Sequence, residues 1–201
     1  MSLILRAALI ACLLVVTTPA MAHAPVMGIG GVFGGVLHAL LIPEHGLSLV
    51  ALGLVVGRQE HAPRRWALLI FTAALTVGLV ATALKLETTL AVDVLLLATG
   101  ILGLLMAAAW APPILASVLS IFIGLAFALD SAPDATSADE LNRMLIGSGL
   151  GAAVALVTVA ESSAFLQGSA PSIVMRVLGS WTAAIAILVL SLRVVTRFTV
   201  G

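Results

Sequence analysis

The chain has 201 residues, of which 62% are hydrophobic and only 9% are charged. A soluble domain carries about 25% charged residues, so this composition excludes a water-soluble globule and indicates a bilayer as the solvent. Nine acidic and nine basic residues balance, and a net charge of zero predicts no nucleic-acid partner. The single cysteine, Cys12, lies in an N-terminal segment that we expect to be cleaved. Metal binding by the remaining chain would therefore depend on histidine, carboxylate and backbone oxygen.

Residues 1–22 have the pattern of a cleavable secretory signal peptide. Arg6 supplies the positive charge, a short apolar run follows it, and Ala20 and Ala22 provide the small residues of a cleavage site. Cleavage leaves residues 23–201 as a single transmembrane domain with its N-terminus outside. An uncleaved signal anchor and a lipidated N-terminus are the alternatives.

Six apolar segments of the remaining chain are long enough to cross about 30 Å of hydrocarbon as helices. They lie near 27–57, 66–84, 90–110, 113–129, 145–165 and 173–195. No strand-like alternation occurs, and backbone amides in lipid must be satisfied within the spanning structure. The sequence therefore predicts an all-α integral membrane protein, a bundle of about six transmembrane helices.

The first of these segments is too long for one plain helix, and it contains a proline. Pro43 cannot donate a hydrogen bond to the carbonyl of Ala39, but it suits the first turn of a new helix. We therefore predict that the first span is broken near Ile42 and Pro43. A break exposes carbonyl groups, which the membrane tolerates only where they line a polar cavity.

The arginines predict the orientation. Residues 58–65 hold three of them, so the positive-inside rule places this loop in the cytoplasm, with the acidic loop 130–143 outside. The expected location is the bacterial inner membrane. Arg193 and Arg197 would also fall outside, which breaks the rule.

Ionisable residues within spans are the main functional signal, since each costs a few kcal/mol to insert. Three fall within eight residues of the first span: His38, Glu44 and His45. In an unbroken helix the two histidines would lie about 10.5 Å apart along the axis, too far to share one ion, and a break removes this restriction. Neutral imidazole binds nickel, cobalt, copper and zinc, and a carboxylate compensates charge. We predict a metal site; a hydrogen-bonded cluster that only orders the bundle is the alternative.

Other acidic residues lie near the ends of spans. Glu87 and Asp93 are candidates for an outer entrance or a secondary site, although Asp93 is close enough to its helix end to reach the interface. Glu161 is expected to be interfacial. Pairs of glycines four residues apart, Gly53/Gly57 and Gly147/Gly151 among them, predict close helix packing within the bundle or between subunits.

Two stretches resemble the HupE/UreJ family. His38, Glu44 and His45, followed by an apolar helix, are similar to its first-span signature of His-Pro, four residues and Asp-His, with Ala39 in place of the proline and glutamate in place of the aspartate. The segment 87–94 is similar to a second family motif. The resemblance implies a signal peptide, about six spans and a nickel or cobalt permease associated with hydrogenases or ureases. The histidine-rich stretch that members carry after the fourth span is absent.

The resulting hypothesis is a permease for a divalent transition-metal ion, nickel or cobalt, with no prosthetic group. The expected partners are the bilayer, the metal ion, and further copies of the chain or a metalloenzyme assembly. No catalytic constellation and no nucleotide-binding motif is visible, so we expect no enzymatic activity. The rival hypothesis is a non-transporting membrane scaffold for metalloenzyme assembly.

Overall fold

The structure is a computed structural model that describes residues 30–86, 88–133, 135–166 and 172–200. In this part of the chain it is all-helical. The helices are α1 (Gly31–Leu41), α2 (Pro43–Gly57), α3 (His61–Ala83), α4 (Ala91–Ala107), α5 (Pro113–Asp130), α6 (Ala138–Leu166) and α7 (Ser172–Val200). The predicted signal peptide and Glu87 lie outside the described residues.

The apolar helices confirm a multi-pass membrane protein. Four of them, α3, α5, α6 and α7, are long and apolar enough to cross a bilayer, and α1 with α2 makes a fifth candidate if the bent pair is one span. Helix α4 is apolar but has only 17 residues, slightly short of a full crossing. The prediction of about six spans therefore agrees approximately with the described helices.

The first span is broken where the sequence predicted. Ile42 has an extended backbone, with φ −74° and ψ 117°, and Pro43 begins α2. The axes of α1 and α2 differ by 76° across this single residue. Proline removes one amide donor from the ladder and fixes a conformation suited to a helix start, so the chain turns here instead of continuing as one helix.

The contacts between helices define two ends of the bundle. At the arginine end, which contains residues 58–65, Gln59 donates to the carbonyl of Ala111 and Arg64 lies 3.5 Å from Glu161. At the opposite end, Thr82 donates to the carbonyl of Ala128. Because Ile42 and the last turn of α5 both lie at this opposite end, the break faces away from the arginine cluster.

Glycines allow α1 and α2 to pack directly on α6. A Cβ atom on Gly35 would lie 1.9 Å from the carbonyl oxygen of Met144, and one on Gly147 would lie 1.9 Å from that of Val32. Gly53 and Gly57 are similarly close to α6. Small residues permit such close approach where lipid removes the hydrophobic drive for association. These glycines therefore pack within the bundle.

An ion cluster joins α4 to α7 and accounts for the arginines that break the positive-inside rule. Asp93 accepts a hydrogen bond from Arg193 at 3.1 Å and pairs with Arg197 at 2.5 Å. Arg197 also donates to the carbonyl of Thr89. The carboxylate thus offsets the charge of two arginines on the last helix, which lowers the cost of placing them there.

Candidate metal-binding site

The imidazole of His45 lies in the first turn of α2, directly after the break. Its side chain is fully buried, and its Nε2 atom is 3.0 Å from Oδ2 of Asp130, the last residue of α5. The 76° turn at Ile42 brings this first turn against the end of α5. An α1 that continued straight would point His45 in another direction, so the broken helix positions the contact.

The contact with Asp130 engages only one of the two ring nitrogens of His45. When Nε2 carries the hydrogen and donates it to the carboxylate, Nδ1 of His45 has a free lone pair. Among the described residues, this buried Nδ1 has no hydrogen-bond partner. A carboxylate that holds one ring nitrogen of a histidine while the other binds a metal is a recurrent arrangement in metalloproteins.

Neighbouring side chains fix the position of the ring. Phe127, one turn before Asp130, packs on it with ring centroids 4.2 Å apart and an angle of 33°. One turn along α2, the buried hydroxyl of Ser48 lies 2.7 Å from that of Thr99 and 2.6 Å from the carbonyl of Glu44. These contacts connect α2 to α5 and α4, so His45 is held by rigid elements and not by a loop.

A cavity of about 390 Å³ opens beside this pair. His38, Ile42 and Asp130 line it, together with Thr88, Thr89, Leu129 and Ala132. The Asp130 side chain is 25% exposed while His45 is fully buried. Asp130 therefore both lines the cavity and contacts the buried imidazole, and a cation in the cavity would meet His38 and Asp130, because His45 is not among the lining residues.

The structure does not assemble the three predicted ligands around one point. His38 lines the cavity and His45 contacts Asp130, which shares that cavity, but Glu44 is not among the lining residues. Within the described residues, no group of three or more His, Cys, Asp or Glu side chains is placed to hold one metal ion. The ligand set of His38, Glu44 and His45 remains a prediction.

The structure describes only one of the two candidates for a secondary site. Asp93 is engaged by Arg193 and Arg197 in the cluster that joins α4 to α7, whereas Glu87 lies outside the described residues. Thr89, whose carbonyl accepts from Arg197, lies on the rim of the cavity. The backbone of the α3–α4 loop therefore connects the ion cluster to the cavity.

Asp130 was not predicted as a site residue, because in the sequence it was assigned to the acidic loop that follows α5. A usable signal was present: the carboxylate directly follows the apolar residues of a span, Leu129 being the last of them. The structure places the end of that span and the proline break at the same end of the bundle. Two polar features expected on one side of a bundle are candidates for contact even when 85 residues separate them.

The geometry defines a class: a multi-pass α-helical membrane protein whose first span is broken beside a polar cavity, with a buried histidine–carboxylate pair at the break. The model of the family described as HupE / UreJ protein matches residues 10–189. The match covers most of the chain, so the protein belongs to the HupE/UreJ family. No curated protein and no solved structure matches the chain.

Proposed function

We propose that the protein transports a divalent transition-metal ion, nickel or cobalt, across the bacterial inner membrane. The ion enters the cavity lined by His38 and Asp130 and is bound by His45 as it passes the break in the first span. This is the activity that the family resemblance implied. The imidazole groups favour a borderline transition metal over the hard cations calcium and magnesium, which prefer oxygen ligands.

The contact between His45 and Asp130 carries the proposal. A buried imidazole with one nitrogen on a carboxylate and the other without a partner among the described residues leaves a polar atom unsatisfied, at a cost of about 1–3 kcal/mol. A metal ion on Nδ1 of His45 would offset that cost. Asp130 then fixes the tautomer and, through the ring, makes Nδ1 a stronger ligand.

A site with few ligands in place is consistent with transport, because a transported ion has to leave as well as enter. His38 and Asp130 offer an imidazole and a carboxylate at the cavity, and Glu44 follows Pro43 in the first turn of α2. We propose that Glu44 compensates the charge of the ion near the break.

The test is uptake of radioactive nickel or cobalt by cells that lack other permeases for these ions, at matched protein levels. His45→Ala should abolish uptake, and His61→Ala, which changes an exposed histidine at the arginine end, should leave it unchanged. Uptake by the native protein should fall as the outside pH is lowered, because protons compete with the metal for imidazole nitrogen.

One observation favours the rival function, a scaffold for metalloenzyme assembly. The described residues contain no preformed group of three metal-binding side chains. A scaffold needs no transport, so cells with the native protein would take up no more nickel, cobalt, zinc, copper or manganese than cells without it. That result would contradict the permease proposal and support the scaffold function.

A further inference from the structure

A second groove lies at the arginine end, between the end of α4 and the first turns of α7. Its volume is about 320 Å³, and it is lined by Ala107, Ile173, Arg176, Val177, Ser180 and Trp181. Three of these side chains are strongly exposed: Ile173, Val177 and Trp181. On a helix that crosses a bilayer, exposed apolar side chains of this kind face lipid.

The groove results from a close helix crossing. A Cβ atom on Gly179 would lie 2.5 Å from Cβ of Met106, and one on Gly103 would lie 2.7 Å from the carbonyl oxygen of Gly179. The absence of side chains at this crossing brings α4 and α7 into direct contact. The groove occupies the space between the two helices on the arginine side of that contact.

Arg176 is the one charged residue among the described residues that line the groove. Arg176 donates from Nε to the carbonyl of Ala107 at 2.9 Å, which ties the guanidinium to the end of α4. Within the described ranges of the chain, Arg176 forms no ion pair. The N–H groups of its two terminal nitrogens present a planar fork that matches the oxygen atoms of a phosphate.

The groove lies at the end of the bundle where α7 begins. Helix α7 has 29 residues and is therefore about 43 Å long, compared with about 30 Å of hydrocarbon, so part of the helix extends beyond the apolar layer. Trp181 is 69% exposed, and Trp110, just after α4, is 60% exposed. Trp110 follows the end of α4, and exposed tryptophans at such positions are typical of the membrane–water interface.

We propose that this groove binds an anionic phospholipid, with its phosphate on Arg176 and an acyl chain along Val177 and Trp181. The charge is complementary, because Arg58 and Arg65 place further positive charge at the same end of the bundle and attract anionic lipid to that leaflet. The bound lipid joins α4 to α7 at the end opposite to the Asp93 cluster. This site is independent of metal transport.

Native mass spectrometry tests the proposal. The purified protein in detergent is incubated with equal amounts of phosphatidylglycerol and phosphatidylcholine, and the retained lipid is read from the mass of the intact protein. The native protein should retain phosphatidylglycerol preferentially. Arg176→Gln should lower the ratio of the two retained lipids about fivefold, since one cation near the bilayer surface is lost.

Two further variants separate the groove from general charge. Arg65→Gln removes an exposed cation at the same end but outside the groove, so it should lower the ratio less than Arg176→Gln does. Val177→Trp fills the groove without changing charge and should reduce the retention of phosphatidylglycerol. An unchanged ratio in Arg176→Gln would overturn the proposal, as would a lipid-free dimer whose formation Val177→Trp abolishes, because a second copy would then occupy the groove.

Discussion

Nε2 of His45 lies 3.0 Å from Oδ2 of Asp130, although 85 residues separate them in the chain. The contact joins the first turn after the proline break to the last residue of α5. The carboxylate lines a cavity of about 390 Å³, and the imidazole that it contacts is fully buried. In metalloproteins, a carboxylate commonly holds one ring nitrogen of a histidine that binds metal through the other.

Replacement of the carboxylate by an amide tests the role of Asp130. Asp130→Asn keeps the shape of the side chain but removes its charge, so metal affinity should fall about 10–100-fold, the range typical of partners that orient metal ligands. The measurement is equilibrium dialysis of nickel or cobalt against the purified protein. Asp139→Asn is the matched control, because that exposed carboxylate pairs with Arg143 on the surface. Equal affinities in the two variants would show that Asp130 does not act on His45.

The break itself is open to test through its proline. Pro43→Ala restores an amide donor and should let α1 and α2 straighten toward one helix, which moves His45 away from Asp130. We expect a protein that inserts normally but binds metal weakly. Pro113→Ala, at the first position of α5, is the control and should retain the native affinity. If Pro43→Ala also binds metal like the native protein, the bend does not form the site.

The close packing of α1 on α6 predicts a loss of stability from one methyl group. In Gly35→Ala the added Cβ would lie 1.9 Å from the carbonyl oxygen of Met144, so the two helices must separate. Overpacking of this kind costs about 1–3 kcal/mol, which thermal unfolding in detergent should detect. Gly100→Ala is the control, since its Cβ would be 3.8 Å from the nearest atoms. Equal melting temperatures for the two variants would contradict the packing.

The predicted orientation needs a separate experiment. Single cysteines at Ala62 and Ala135, which lie at the arginine end and the opposite end, are introduced with Cys12 replaced by serine. An impermeant thiol reagent applied to intact cells should label position 135 and leave position 62 unlabelled, because the arginine cluster favours the cytoplasm. The reverse pattern would invert the topology and place the cavity on the cytoplasmic side.

The sequence was sufficient to predict the helical bundle and its break. Apolar segments of spanning length identified the helices, and Pro43 located the bend at Ile42 within one residue. Both are local properties, because hydrogen bonds within a helix and the missing amide of proline depend only on neighbouring residues. The glycine pairs predicted close packing but could not identify α6 as the partner.

The pairings between distant residues were not predictable. Asp130 and His45 meet only because of the angle at Ile42 and the packing of α2 on α5, neither of which a single sequence specifies. Asp93 was expected near an entrance, and the structure places it in contact with two arginines 100 or more residues further along the chain. Periodicity and composition indicate which groups are costly in a membrane, but not which group offsets each cost.

Metal binding by the purified protein tests the central claim most directly. Equilibrium dialysis with nickel and with cobalt is performed on the native protein and on His38→Ala, His45→Ala, Glu44→Gln and Glu44→Asp. We predict that the native protein binds one of the two ions and that each histidine variant loses binding, because so few imidazoles are available. Glu44→Gln should bind weakly and Glu44→Asp more strongly, since only the latter keeps the charge. Native binding that persists unchanged in both histidine variants would contradict the account.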